Sequence, residues 1–231
     1  MAGRPLWRAF VRPPGRRVSR IVVLCEGDTE EGAGRHFITR QWKSDGLGSV
    51  GLHRITLDGK LQNVGEFANR YIDEQDVLAV FVLVDLQGMT RVNHQPQDNP
   101  ETKIQRVRNW LSVQVNHARA NQFFPHVCVH QTEAWILAEG RALAARLNDP
   151  GIKPDSNAEF KNFQNPPSNR INELFLRHKR ERYKKIADGT PLFRAMRFAP
   201  VYDSCRYFRA FYDALKAAGD SAGSSRAADH S

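Results

Sequence analysis

Three apolar runs set the frame of this chain, and each leads into an acidic residue. Ile21-Val22-Val23-Leu24-Cys25 runs into Glu26, and Leu78-Ala79-Val80-Phe81-Val82-Leu83-Val84 runs into Asp85. Phe124-Pro125-His126-Val127-Cys128-Val129-His130 reaches Glu133 three residues later. Unbroken Val, Ile, Leu and Phe runs of this length predict strands buried on both faces, the habit of parallel sheets covered by helices. Between them the period lengthens. Ala33, Phe37 and Trp42 predict the inner face of a helix over 29–44, with Asp28 as its cap and Glu31 as the capping-box partner. Val50 to Leu57 predicts another strand, closed by a turn at Asp58-Gly59, and Phe67, Tyr71 and Ile72 predict a helix over 64–74. Ile104, Val107, Leu111, Val115 and Ala118 recur at spacings of three and four, which predicts a helix over 101–122.

This alternation implies an α/β fold with a mostly parallel sheet flanked by helices. Sites in such sheets lie just past the carboxyl ends of the strands. Glu26, Asp85 and Glu133 are therefore expected at one edge, an arrangement that suits a divalent metal ion and phosphoryl transfer. Residues 86–100 form a polar loop long enough to be functional by length alone. The composition changes near residue 148. Asn148-Asp149-Pro150-Gly151 and Asn165-Pro166-Pro167 mark loops, no β-branched run follows, and helices are expected over 168–187, 189–197 and 203–217. The expected organisation is a basic arm over 1–20, an α/β domain over 21–147, a helical extension over 148–217 packed on it, and a disordered tail over 218–231.

At 231 residues, 41% of them apolar, the chain can bury one good core. No run approaches the length of a membrane span, and the first twenty residues lack the apolar stretch of a secretory signal. A cytoplasmic location is expected. Cys25, Cys128 and Cys205 read as reduced packing residues, and their spacing does not fit zinc. The net charge of +9 is concentrated in two places. Residues 1–20 carry six arginines and no acid, and Arg177 to Lys185 carries six basic residues against Glu181. The rest is near neutral. Focused basic segments suit a phosphate backbone.

Cys25-Glu26-Gly27-Asp28-Thr29-Glu30-Glu31, directly after the first strand, resembles the Glu-Gly-x-Thr-Glu opening of Toprim-like proteins. Asp85-Leu86-Gln87-Gly88, Thr132-Glu133-Ala134-Trp135-Ile136-Leu137-Ala138 and Tyr183-Lys184-Lys185 follow in the order of a prokaryotic, defence-associated Toprim-like family of nucleases. That family is related to the Toprim domains of OLD-family nucleases and is often encoded beside ABC- or AAA-type ATPases. The likeness spans about residues 20–215. It implies a Toprim-like α/β fold and a Mg²⁺- or Mn²⁺-dependent hydrolase that cuts DNA or RNA, working as an antiviral effector with an ATPase partner. One position departs. Toprim enzymes usually carry Asp-x-Asp after the later strand, and here the second position is the amide of Gln87. Either Glu133 supplies the missing carboxylate, or one metal is bound, or the site is degenerate and only binds nucleic acid or the ATPase.

The resemblance assigns roles to these residues. Asp85 would hold the metal, with Glu26 as a second ligand or as the general acid/base, and Glu133 would complete the set. Gly27 would let a phosphate approach the backbone beside a helix amino end. Arg180, Arg182, Lys184 and Lys185 would neutralise the nucleic-acid backbone, one of them bearing on the scissile phosphate. Asp28 is a cap or a ligand, Glu30 a first-turn helix residue or a site residue, and His130 a base or a hydrogen-bonded structural histidine. Tyr183 stacks on a base or packs in the core. The mostly apolar segment 192–212 could pair with a second copy or a partner.

Overall fold

The computed structural model describes residues 18–86, 89, 92, 98–129, 132–160 and 165–228. Gln87, Gly88, His130 and the arm up to residue 17 lie outside these. The apolar runs form the strands β1 (Arg20–Cys25), β3 (Val77–Asp85) and β4 (Phe123–Cys128), and β2 is Gly51–Thr56. All pair in parallel, in the order β2-β1-β3-β4. Strand alternation splits β1 between two cores. Ile21, Val23 and Cys25 face Phe37, Trp42 and Trp135, while Val22 and Leu24 face Val64, Ile72, Val107 and Leu111.

Helices cover both faces. α1 (Asp28–Ala33), a π-helical turn (Gly34–Ile38) and α2 (Thr39–Ser44) form one continuous helical stretch over the first face. α3 (Val64–Asp73) and α4 (Pro100–Ser112) cover the second. The chain thus leaves β1 toward one face and β3 toward the other. The adjacent carboxyl ends of these strands form a topological switch point, where doubly wound sheets bind ligands.

The carboxyl-terminal half adds helices to the first face. They are α5 (Glu133–Glu139), α6 (Arg141–Leu147), α7 (Pro167–Lys179), α8 (Lys185–Ala195), α9 (Phe198–Ser204) and α10 (Arg206–Ala228). Phe208, Phe211, Tyr212 and Leu215 of α10 share the apolar cluster of Phe37 and Phe81. Glu159, nearly fully buried, accepts the N–H groups of Tyr207 at 3.0 Å and Phe208 at 3.1 Å and so satisfies the start of α10.

Several elements end elsewhere than their periodicity predicts. The helix expected over 101–122 stops at Ser112, because the following segment is tied to the end of α3 instead. There His117 bonds Asp73 at 2.8 Å and the Arg119 guanidinium donates to the Ile72 carbonyl. The helix expected over 168–187 is two helices, since Arg180 turns left-handed at φ 56° and closes α7 inside a run of like charges. The last helix begins at Arg206 and continues to Ala228, past the point from 218 onward where disorder is expected. Its alanines favour helix once the preceding turns are anchored. Cys25, Cys128 and Cys205 are free and buried, as packing residues should be.

The helical stretch after β4 breaks between α5 and α6 at Gly140, at φ +63°. A Cβ there would stand 2.7 Å from the Pro154 nitrogen, so both conformation and space require glycine. Gly140→Ala is expected to cost roughly 2–4 kcal/mol, through strain plus a backbone displacement. Urea unfolding measures this, and a loss under about 1 kcal/mol would show that the break tolerates a side chain.

Candidate active site

Parallel pairing in register brings β1 and β3 to an end side by side, with the Glu26 N–H donating to the Leu83 carbonyl at 3.2 Å. Glu26 then turns its carboxylate across the gap, and its Oε2 accepts the Asp85 N–H at 2.8 Å. Two of the predicted acids are thus joined directly. Burial raises the Glu26 pKa and the Asp85 charge adds to the rise, while the Asp85 N–H and the Lys185 charge oppose it.

The helix after β1 starts one residue earlier than expected. Gly27, extended at φ −148°, is its cap, and Asp28 is an exposed first-turn residue. The capping-box partner is therefore Glu30, whose Oε2 accepts the Gly27 N–H at 3.1 Å. Glu31 instead pairs with Arg35 at 2.7 Å and Arg54 at 3.6 Å. A Cβ on Gly27 would make an ordinary 3.4 Å contact with Glu30, so what this residue supplies is its N–H rather than bare space. This shift of one residue carries Glu30 inward to 8% exposure. Its pKa rises from 4.5 to about 7, first through burial and then through the charges of Glu133, Glu26 and Asp85. Two signals pointed to an inward Glu30: the Glu-Gly-x-Thr-Glu resemblance ends on it, and it stands three residues after a glycine able to cap.

Glu133 opens α5 and is fully buried, yet neither carboxylate oxygen has a hydrogen-bond partner among the described residues. It pairs with Lys185, whose Nζ stands 3.6 Å from Oε1, an ion pair longer than a hydrogen bond. Thr132 Oγ1 and the Tyr183 hydroxyl are also buried without hydrogen-bond partners among the described residues. Burial raises the Glu133 pKa, the Lys185 charge opposes this, and Asp85 adds to it. Tyr183 packs on Phe175 with ring centroids 5.3 Å apart, so it belongs to the core.

The basic residues divide. Arg180, Arg182 and Lys184 are exposed on the loop between α7 and α8, where the Lys184 N–H donates to Asp188 at 2.9 Å. Lys185, the first residue of α8, reaches the carboxylates because α8 packs against α1 and α5. Glu26, Glu30, Asp85, Glu133 and Lys185 therefore form one electrostatic cluster drawn from four separate segments.

Among the described residues, no group of three or more His, Cys, Asp or Glu side chains is disposed to hold a metal ion. Magnesium commonly takes one or two protein carboxylates and completes its shell with water and phosphate oxygens. Hard oxygen donors that repel one another, with both Glu133 oxygens lacking a hydrogen bond among the described residues, fit such an ion in chemistry. They do not form a finished cage.

No curated protein matches the chain. Among solved structures it is similar to the C-terminal region of the Xanthomonas campestris pv. campestris OLD protein, at 16% identity and a TM-score of 0.36, covering 86% of this chain and 98% of that one. It is also similar to the C-terminal region of the Burkholderia pseudomallei OLD protein, at 13% identity and a TM-score of 0.38, covering 84% and 98%. Likeness at this level says nothing of chemistry. A family profile described as "Domain of unknown function (DUF4276)" matches residues 25–216, and the chain belongs to that family.

Proposed function

We propose that this chain is a metal-dependent nuclease that hydrolyses phosphodiester bonds of DNA or RNA at the carboxyl edge of its sheet. The observation that carries this reading is the meeting of Glu26, Glu30, Asp85 and Glu133 at the switch point, three of them with pKa values raised chiefly by burial. Clustered acids destabilise a fold, so their position beyond the strands points to a cationic partner. Asp85 and Glu26 would hold Mg²⁺ or Mn²⁺, with Glu133 beside them. When bound, the ion would polarise the phosphate and activate water. Glu26, steadied by the Asp85 N–H, is suited to move a proton at the attacking or leaving oxygen. Exposed Arg180, Arg182 and Lys184 would hold the backbone of the nucleic acid, and Lys185 would meet the phosphate nearest the acids.

No helix among the described residues is long and apolar enough to cross a membrane. We place the protein in the cytoplasm, as an anti-phage effector working with an ABC- or AAA-type ATPase. The support for that context is the motif resemblance at Glu26, Asp85, Glu133 and Lys185. A second reading, in which the same fold binds nucleic acid or the ATPase without cutting, is favoured by one observation: Lys185 already offsets Glu133.

Cleavage of supercoiled plasmid, single-stranded DNA and total transfer RNA with Mg²⁺ or Mn²⁺ separates the readings. Wild type should cut at least one substrate, and Glu26→Gln and Asp85→Asn should lose on the order of 10²-fold or more in rate. Binding without cleavage by wild type, with or without the ATPase, would establish the second reading. Equal cutting by wild type and both variants would remove these residues from the mechanism.

The raised carboxyls also set a pH dependence. Because the folded pKa of Glu30 exceeds the unfolded one, the native state holds more protons between pH 4.5 and about 7. Stability should therefore fall as pH rises through that window. Glu30→Gln keeps an acceptor for the Gly27 N–H and is expected to stabilise the metal-free protein by roughly 1–3 kcal/mol at pH 8, with no gain below about pH 4.5. Denaturant titrations at both pH values test this, and a variant less stable than wild type at pH 8 would contradict it.

A further inference from the structure

The pair formed by Glu133 and Lys185 is asymmetric. Glu133 is fixed in the first turn of α5 with no exposure, whereas the Lys185 side chain is 48% exposed on a flexible stem. The carboxylate cannot leave and the ammonium can. The contact is also incomplete, since 3.6 Å is too long for a hydrogen bond and neither Glu133 oxygen has a hydrogen bond among the described residues. The Lys185 charge acts on Glu26 as well as on Glu133. One loosely held cation thus spans acids from two different strand ends. A buried acid needs a counter-charge to remain ionised, and a lysine at the start of a separate helix provides one for Glu133 that the fold can release.

We propose that Lys185 is an internal counter-cation, occupying the resting site in place of a divalent ion and swinging out toward the substrate phosphate once that ion binds. The inference rests on the metal-dependent reading above. The same lysine serves two partners in turn, first Glu133 and then a phosphate oxygen. Metal and lysine compete for the acids, so the affinity for the ion is set partly by the cost of displacing Lys185.

Two measurements on the full chain test this. Calorimetric titration with Mn²⁺ alone should give Lys185→Met an affinity on the order of tenfold above wild type, because a competing charge is gone. Lys185→Arg, which keeps the charge, should stay within about threefold of wild type. In wild type, acetylation of Lys185 by an amine reagent, read by peptide mass spectrometry, should rise when Mn²⁺ is added. Equal or weaker Mn²⁺ binding by Lys185→Met, with binding still lost in Asp85→Asn, would overturn the inference and leave the metal-dependent reading standing. Unchanged or reduced Lys185 acetylation with Mn²⁺ bound would overturn it without any variant. No Mn²⁺ binding by wild type or Lys185→Met would overturn both.

Discussion

The hydrogen bond from the Asp85 N–H to the Glu26 carboxylate is the contact on which the site turns. It exists because β1 and β3 are parallel neighbours that end together, and they end together because both carry apolar residues on both faces. A register slip of one residue would exchange the faces of β1 and move Glu26 along the edge by a strand repeat. The position of the first carboxylate is therefore fixed by the burial of Ile21, Val22, Val23 and Leu24. Chemistry at this edge is a by-product of core packing two to five residues away.

That packing also explains why the acids are uncomfortable. Glu30 and Glu133 lie at helix starts, where an acid is ordinarily favoured by the helix dipole. Here burial outweighs the dipole for both, and the Glu133 charge adds to the cost at Glu30 as the Asp85 charge does at Glu133. A buried carboxylate with no hydrogen bond among the described residues is among the larger local penalties a fold can carry. The aromatic cluster of Trp135, Phe37, Phe198 and Phe208 anchors α5 on the sheet and so holds it there.

The parallel sheet was legible because its central strands β1 and β3 are buried on both faces and so lack alternation. Glu26 and Asp85 were legible because each follows such a run directly. Glu30 was legible only as one of two readings, since its inward turn depends on Gly27 rather than Asp28 taking the cap, a difference of one residue in extended backbone. The helix ends at Ser112 and Lys179 were missed for a related reason. Each is decided by a tertiary contact or a single left-handed residue, and periodicity carries neither. Lys185 stood in the sequence as one of six cations in a run, and only the packing of α8 on α1 and α5 separates it from its neighbours.

The cluster is assembled from two parts of different ancestry in the chain. Its acids follow strands whose ends are dictated by the sheet, but its lysine arrives on a helix that makes no strand and follows an exposed loop. Changes in the loop from Arg180 to Lys184 can alter length, charge or reach without disturbing any strand register. The loop thus decides what approaches the acids, while the strands alone decide where the acids stand.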